Sequence, residues 1–216
     1  ILKKLGNKVK GSDIGKHFFT EEELIKNDIP FYEYNSSNIK EDYIIIKGAS
    51  IKEDNIELIK AKELNLKVLE YNEMVAELTK QFKTICIAGC HGKTTTTNMF
   101  SLAFKNQGIS YLIGDGTGDA NKSDEYFALE SCEYKRHFLL YHPYYAVITN
   151  IDLDHVDYYN DINDVIDAYT NYANNASKKI IAYGDDPYTR TMKVNKPIIF
   201  YGLDSSNDVV ATNIKY

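Results

Sequence analysis

Short apolar segments recur along this chain of 216 residues, and polar turns or amphipathic segments separate them. Continuous apolar runs that are bounded by turn residues are typical of buried β-strands. On this pattern we predict strands at residues 31–34, 43–47, 67–71, 85–88, 111–113, 125–129, 145–150, 179–183, 198–201 and 209–214.

The segments between these strands carry apolar residues at helical spacing, and several begin with a residue suited to capping. Thr20 and Glu23 have the spacing of a capping box, and Asp161 is placed to cap the helix that follows it. Asp54 is predicted to cap a helix that ends at Leu64. The predicted helices are an opening segment that Gly6 closes, residues 20–27, 54–64 and 72–82, a segment through Met99, Phe100 and Ala103 toward Gly108, and one through Ile162, Val165, Ile166, Tyr169, Tyr172 and Ala173. In the 54–64 helix the residues expected to face a sheet are Ile56, Leu58, Ile59 and Ala61.

Apolar strands that alternate with helices imply parallel sheets with helices on both faces. The predicted fold class is therefore α/β, in two units that meet near residues 80–83. This stretch contains no Pro or Gly linker, so the predicted helix over residues 72–82 is expected to make the connection itself.

The segment around Gly89 and Gly92 carries the clearest functional pattern. Lys93 and Thr94 follow these glycines at the expected start of a helix. Glycines let the backbone turn tightly and direct its N–H groups at an anion, lysine adds positive charge for the outer phosphates, and a hydroxyl can hold Mg²⁺. Ile87 stands where the full phosphate-loop pattern has its first glycine, so this loop is a shortened variant. The pattern predicts a nucleoside triphosphate site, and the alternative is a strand–helix turn with a solvated lysine.

Two further predicted strands run into acidic residues. Residues 127–133 pass from an apolar stretch into Glu130, and residues 146–155 pass into two aspartates and His155. Ligands of open α/β sheets bind at the carboxyl ends of the strands, so we expect these side chains to lie beside the phosphate loop. Glu130 offers an oxygen ligand for Mg²⁺, and His155 offers a metal ligand or a charge partner for a phosphoryl group. Taken separately, Glu130 would be a solvated strand-end residue and His155 an ordinary loop histidine.

Composition and charge narrow the classes of protein. The hydrophobic share of 44% is that of a globular chain, and no apolar stretch approaches the roughly 18 residues of a membrane-spanning helix. A formal net charge of −6 argues against a nucleic-acid surface but not against a nucleotide site. Cys86, Cys90 and Cys132 form neither an even disulfide framework nor a zinc pattern, which favours a reducing compartment.

Together these motifs resemble those of the Mur ligase family. Residues 89–97 read Gly-Cys-His-Gly-Lys-Thr-Thr-Thr-Thr, where the family signature is Gly-Thr-His-Gly-Lys-Thr-Thr. Residues 130–138 and 149–159 are similar to the alanine-adding members of Gram-positive type, and residues 11–13 and 50–55 match the first domain of those members. The resemblance spans essentially the whole chain.

The resemblance implies a Rossmann-like parallel sheet that binds a UDP-sugar in residues 1–82 and a phosphate-loop-type central α/β domain that binds ATP in residues 83–216, both incomplete. In this family ATP phosphorylates the lactyl carboxylate of UDP-N-acetylmuramate, and the amine of L-alanine then attacks the acyl phosphate. The implied setting is peptidoglycan precursor synthesis in the cytoplasm, with no nucleic acid, membrane insertion or obligate protein partner. The family's opening strand and Gly-rich loop would precede Ile1 and a third domain would follow Tyr216, so the chain alone is expected to be an inactive fragment.

The resemblance also assigns expected site residues. Lys93 and His155 are the expected catalytic residues, and Ser12 and Asp13, at a predicted turn, are expected near the uridine part of the substrate. Cys90 replaces the usual threonine, at a position expected to contribute mainly its backbone amide. The expected phosphate cradle is Gly89, Cys90, His91, Gly92, Lys93, Thr94 and Thr95, and the expected Mg²⁺ ligands are Thr94, Glu130 and His155.

Three alternatives stay open. A ligase that recycles a murein tripeptide onto the same UDP-sugar shares the motifs, although residues 130–138 favour the alanine-adding type. Folylpolyglutamate synthase shares the ATP site but does not explain the matches before residue 80. A nucleotide-binding module without catalysis is the third reading.

Overall fold

The computed structural model describes residues 1–15 and 21–215, and it divides into two compact units, Ile1–Met74 and Val75–Tyr216. The predicted capping box at Thr20 lies outside the described residues. The division falls inside helix α3 (Tyr71–Thr79), whereas the predicted domains meet after residue 82. Because compactness and domain identity are different criteria, the domain bounds 1–82 and 83–216 stay a prediction.

The first unit contains two pairs of parallel strands and two short helices. Strand β1 (Gly11–Asp13) pairs with β2 (Phe31–Glu33), and β3 (Ile45–Lys47) pairs with β4 (Val68–Glu70). Helix α1 covers Glu21–Lys26 and helix α2 covers Ile56–Glu63, and a 3₁₀ turn lies at Ser36–Asn38. The predicted α/β character with parallel pairing is confirmed for this unit.

Several local predictions in the first unit need correction. Ser12 and Asp13 form part of β1 rather than a turn, because their backbone pairs with the neighbouring strand. Asn55, not Asp54, caps α2: its side-chain oxygen accepts the backbone N–H groups of Glu57 at 2.8 Å and Leu58 at 3.4 Å.

The apolar face of α2 is also narrower than predicted. Leu58 and Ala61 are buried, but Ile56 and Ile59 are 48% and 45% exposed. The helical segment predicted at the start of the chain is only a single turn in the structure. Gly6 closes this turn at a φ of 88°, a left-handed conformation that glycine adopts without a steric cost.

The second unit is built on a sheet in which eight strands are described. Its order is β12-β11-β10-β9-β5-β8-β6-β7, and each pairing is parallel except that of β6 with β7. Strand β5 lies at the centre, between β9 and β8, so its carboxyl end is flanked by the ends of two other parallel strands. The strands are β5 (Lys83–Ala88), β6 (Ile109–Leu112), β7 (Gly118–Asp119), β8 (Tyr126–Glu130), β9 (Tyr145–Ile148), β10 (Lys179–Tyr183), β11 (Ile198–Gly202) and β12 (Val209–Val210).

Two helices of the second unit contact the central part of the sheet around β5. On one face, Phe100 of α4 (Lys93–Ala103) packs against a cluster that includes Ile85, Ile87 and Val147. Side chains alternate between faces along a strand, so Cys86 belongs to the other face. There the hydroxyl of Tyr172, in α5 (Ile162–Asn174), donates to the Cys86 carbonyl oxygen at 2.7 Å.

Helix α5 (Ile162–Asn174) confirms the predicted cap at Asp161, whose side chain accepts the N–H groups of Asn163 and Asp164. Other boundaries differ from prediction, mostly because helices and strands end early. Helix α3 stops at Thr79, and the last predicted strand contains only Val209 and Val210. Three 3₁₀ turns lie at Lys105–Gln107, Tyr134–Leu140 and Thr189–Thr191. Among the described residues no helix combines the length and the apolar character needed to cross a bilayer.

Candidate active site

The loop between β5 and α4 has the backbone geometry of an anion site. Gly89 has a φ of 144°, and a Cβ atom there would collide with the hydroxyl of Thr149. Gly92 begins α4 at a φ of 81° without a side-chain cap, and the first helical hydrogen bond is donated by Thr96 to the Gly92 carbonyl at 2.9 Å. The N–H groups of Lys93 and the two residues after it therefore have no partner within the helix, and these groups together with the helix dipole favour an anion.

Two residues that follow β9 hold this loop in place. The side-chain amide of Asn150 donates to the His91 carbonyl oxygen at 2.8 Å and accepts the His91 N–H at 2.9 Å. The Thr149 hydroxyl donates to the same His91 carbonyl at 2.6 Å. The backbone of His91 is therefore used to brace the loop. Thr149 and Asn150 lie in a sequence motif, but their residue types and spacing alone do not indicate this role.

The side chain of Cys90 also has a structural role that the sequence expectation did not include. It is 7% exposed, and its sulfur lies 3.1 Å from both the carbonyl oxygen and the backbone nitrogen of Asp152. The Cys90 N–H donates to the Asn150 carbonyl at 3.3 Å. Burial raises the pKa of the Cys90 thiol, so the thiol form is favoured near neutral pH.

The ammonium group of Lys93 lies inside the loop. It donates to the carbonyl oxygens of Gly89 at 2.6 Å and Cys90 at 3.3 Å. It also forms an ion pair with Glu133, whose side chain is 1% exposed, with Nζ 3.2 Å from Oε1 and 3.0 Å from Oε2. The ammonium is thus held within the loop, at the start of α4, by two carbonyl oxygens and one carboxylate.

Thr94 and Glu130, two of the expected Mg²⁺ ligands, lie side by side. The Thr94 hydroxyl donates to Glu130 Oε1 at 3.0 Å, and Glu130 Oε2 accepts the Gly114 N–H at 2.7 Å. A hydroxyl and a carboxylate beside a phosphate loop are the hard oxygen ligands that Mg²⁺ takes in small number from protein. These residues therefore fit the ion that the resemblance implies.

The structure brings His155 close to Glu133. Its Nε2 lies 3.5 Å from Glu133 Oε1, and its ring lies against Tyr134 with the ring centres 4.7 Å apart. Possible ligand atoms of Glu133, Asp154 and His155 all lie within 4.8 Å of one another. A common metal site for Glu130 and His155 stays a prediction. The sequence does not mark Glu133 as a site residue, because nothing in its spacing signals that this carboxylate is buried.

The predicted substrate residues belong to the first unit. The hydroxyl of Ser12 hydrogen-bonds to the buried carboxylate of Glu57, which also accepts from the Asn38 amide at 2.7 Å. Asp13 Oδ1 accepts the Ile14 N–H at 2.7 Å. The substrate role of Ser12 and Asp13 stays a prediction.

An apolar groove of about 460 Å³ lies elsewhere in the second unit. Its lining includes Ile85, Phe100, Tyr126 and Tyr145, and the three of these that lie in strands are in the amino-terminal parts of those strands. The phosphate loop follows the carboxyl end of β5, so this groove is not part of the candidate active site.

Comparisons with known proteins find two matching family models. The model of the Mur ligase family catalytic domain matches residues 1–83, and the model of the Mur ligase middle domain matches residues 87–216. The latter match alone covers more than half of the chain.

Three solved structures have a similar fold. UDP-N-acetylmuramate:L-alanyl-γ-D-glutamyl-meso-diaminopimelate ligase from Neisseria meningitides is 20% identical at a TM-score of 0.79, over 94% of this chain and 72% of that one. UDP-N-acetylmuramate–alanine ligase from Thermotoga maritima is 23% identical at a TM-score of 0.74, over 93% of this chain and 48% of that one. MurF ligase from Thermotoga maritima, solved in complex with ADP, is 16% identical at a TM-score of 0.58, over 79% and 50%. This chain thus spans about half the length of two of them, and on the two family-model matches it belongs to the Mur ligase family.

Proposed function

We propose that this chain is the nucleotide-binding part of an ATP-dependent ligase that joins L-alanine to the lactyl carboxylate of UDP-N-acetylmuramate, a cytoplasmic step of peptidoglycan precursor synthesis. The observation that carries the proposal is the convergence of the Lys93 ammonium with the uncapped first turn of α4 at the carboxyl end of β5. Membership of the Mur ligase family supports the reaction class.

On this proposal the chain contributes positioning and charge neutralisation. The N–H groups at the start of α4 hold the phosphates, and Lys93 neutralises charge on the phosphoryl group that moves to the substrate carboxylate. Phosphoryl transfer depends on such positioning and electrostatic stabilisation more than on covalent help from the protein. The amine of L-alanine then attacks the acyl phosphate, and phosphate leaves as the amide forms.

Mg²⁺ is part of the proposal. Thr94 and Glu130 would hold it, and His155 is proposed as a ligand of a second ion. When bound, Mg²⁺ would neutralise phosphate charge and orient the transferring group. His91 is proposed to brace the loop rather than to bind phosphate through its N–H, because Asn150 already accepts that N–H.

The choice of L-alanine rests on sequence similarity. Residues 130–138 and 149–159 resemble the alanine-adding members of the family. A second candidate is the murein-tripeptide ligase, because the Neisseria protein of that specificity has the higher TM-score, 0.79 against 0.74 for the alanine ligase. Both of these proteins are UDP-N-acetylmuramate ligases, so we propose this UDP-sugar as substrate in either case.

Nucleotide binding is tested on the chain itself. Titration calorimetry with Mg·ADP should show saturable binding that Lys93→Ala weakens at least about tenfold, because a charge-assisted contact with phosphate is lost. Lys178→Ala, which removes an exposed lysine just before β10, is the matched control and should bind as the wild type does. Equal affinities for the Lys93→Ala and wild-type proteins would contradict the phosphate-loop assignment.

Catalysis is tested in the full-length protein that contains this chain. Phosphate release should depend on L-alanine more than on glycine or L-serine, and Lys93→Ala should lower turnover about a hundredfold or more while UDP-N-acetylmuramate still binds. Activity with the tripeptide and not with L-alanine would select the second candidate. Nucleotide binding without phosphate release in the presence of either acceptor would support the non-catalytic nucleotide-binding module.

A further inference from the structure

Glu57 is a buried carboxylate in the first unit to which the proposed function gives no role. It lies in the first turn of α2 and is 6% exposed. Its backbone N–H donates to the side-chain oxygen of Asn55 at 2.8 Å, which fixes the start of the helix. Burying a carboxylate is unfavourable unless hydrogen bonds compensate it, so its partners indicate why it is buried here.

Three donors from two other segments converge on this carboxylate. Oε2 accepts the hydroxyl proton of Ser12, in β1, and Oε1 accepts the backbone N–H of Asn35 at 3.1 Å and the side-chain amide of Asn38 at 2.7 Å. Strands β1 and β2 are parallel neighbours, and both asparagines follow β2. Glu57 therefore ties together the segments at the carboxyl ends of these strands, which is where ligands of open α/β sheets bind.

These hydrogen bonds fix how Ser12 can bond to any further group. An ionised carboxylate only accepts hydrogen bonds, so the hydroxyl proton of Ser12 points to Glu57 and only the lone pairs of its oxygen remain. The amide group of Asn38 donates to Glu57 at 2.7 Å and to the Glu33 carbonyl oxygen at 2.9 Å, so both of its protons are used. These two side chains can therefore offer a ligand only acceptors.

We propose that Glu57 is a positioning residue of the UDP-sugar site: it holds the Ser12 hydroxyl as an acceptor, and Ser12 receives a hydrogen bond from a ribose hydroxyl of the substrate. The inference rests on the proposed function and on the predicted place of Ser12 and Asp13 near the uridine. Within the uridine the ribose is the better match, because both of its hydroxyls can donate. Uracil has a single N–H between two carbonyl oxygens, which the lone pairs of Ser12 would repel. The carboxylate of Asp13 is a further acceptor beside Ser12.

Glu57→Gln should reverse the direction of the hydrogen bond at Ser12 while keeping the shape of the side chain. The one remaining oxygen is needed by the N–H groups of Asn35 and Asn38, so the new amide group faces Ser12 and donates to it. The Ser12 proton must then point outward, and the site presents a donor in place of an acceptor. A ribose hydroxyl can bond to either, since a hydroxyl both donates and accepts, whereas fluorine cannot donate.

The test compares two ligands on the full-length protein that contains this chain. They are UDP-N-acetylmuramate and its analogue with fluorine in place of both ribose hydroxyls, and titration calorimetry without ATP measures both affinities. Wild type should bind the analogue at least about tenfold more weakly, because a site built to accept a hydroxyl proton rejects a ligand without one. In Glu57→Gln and in Ser12→Ala this ratio should fall to about threefold or less. Glu63→Gln, the same exchange at the exposed end of α2, is the matched control and should keep the wild-type ratio.

The ratio of the two affinities separates positioning from a purely structural role. Loss of a structural contact would weaken both ligands alike, so an unchanged ratio in a Glu57→Gln protein that melts cooperatively would overturn the proposal. Ser12→Ala leaves Glu57 in place and decides the case if Glu57→Gln does not fold: a ratio at the wild-type value would again exclude the proposed contact.

Two results with the wild-type protein are also decisive. Equal binding of the two ligands would refute the ribose contact while leaving UDP-N-acetylmuramate as the substrate. No binding of UDP-N-acetylmuramate would instead refute the proposed substrate, and this inference with it.

Discussion

Asn150→Ala should loosen the phosphate loop while leaving the sheet beneath it intact. Asn150 makes two hydrogen bonds to His91, as donor at 2.8 Å and acceptor at 2.9 Å. A net contribution of about 1 kcal/mol for each bond gives a loss of about 2 kcal/mol on truncation to alanine. Thr149 still donates to the His91 carbonyl at 2.6 Å, so the loop should remain attached to the end of β9.

Amide hydrogen exchange measures this loss at the affected bond. The His91 amide should exchange about thirtyfold faster in Asn150→Ala, the factor that corresponds to about 2 kcal/mol. Asn150→Asp keeps an acceptor for the His91 N–H and loses only the donor, so its effect should be about half in free energy. The Tyr188 amide, which donates to Asp186 Oδ1 at 2.7 Å, is the internal reference and should not change.

An unchanged His91 exchange rate in Asn150→Ala would refute the bracing role of Asn150. Equal acceleration of the His91 and Tyr188 amides would also refute it, since that pattern indicates general destabilisation of the second unit. Asn174→Ala is the matched variant: it removes one bond, to the Asn195 N–H at 2.9 Å, and should leave His91 unaffected.

Gly89→Ala should lower the free energy of unfolding by more than about 2 kcal/mol, because the positive φ is strained for alanine and the added Cβ collides with Thr149. Gly116→Ala is the control: its Cβ meets no neighbour, so it should lose about 1–2 kcal/mol from backbone strain alone. Chemical denaturation measures both. Cys90→Thr should retain Mg·ADP affinity and nearly full stability because a hydroxyl can replace the two sulfur contacts to Asp152, while Cys90→Ala should lose about 1–3 kcal/mol in the same denaturation assay. A Cys90→Ala protein that is more stable than Cys90→Thr would contradict the role assigned to the thiol. Burial raises the pKa of three buried tyrosines in the second unit above the usual value near 10. Their neutral side chains therefore stabilise the folded state below about pH 10. This stabilisation is lost as the pH rises from about 10 toward the raised pKa values. Ultraviolet absorbance of tyrosinate should therefore show a fraction that ionises only when the protein unfolds; these residues are Tyr159, Tyr169 and Tyr172.

The central sheet was predictable because its strands are marked by local pattern. The apolar run at residues 85–88 and the run that begins at Tyr145 form buried strands, as parallel sheets covered by helices require. The cap at Asp161 was equally local, since a capping side chain bonds to N–H groups two and three positions later. At α2 the same rule does not distinguish Asp54 from Asn55, because the two residues are adjacent and both can cap, and the cap is Asn55.

The site was predictable only in part. The sequence marked the loop around Lys93 because glycine, lysine and threonine have fixed roles at a strand–helix turn. It did not reveal the brace from Asn150 or the buried ion pair with Glu133, because both join segments that are far apart in the chain. Long-range contacts and the burial of a charged group depend on how strands are ordered in the sheet, and residue spacing does not encode that order.

On the proposed nucleotide site, the lack of a side-chain cap at Gly92 would make the stability of α4 depend on bound nucleotide. An N-cap side chain contributes about 1 kcal/mol to an ordinary helix, and Gly92 supplies no such side chain. An anion at the first turn would take over that contribution, so the nucleotide would also act as a folding element of the second unit. By mass action, a ligand at a hundred times its Kd adds about 2.7 kcal/mol to the folded state. The melting temperature of this chain should therefore rise with nucleotide concentration, and its unfolding would report on the occupancy of the loop.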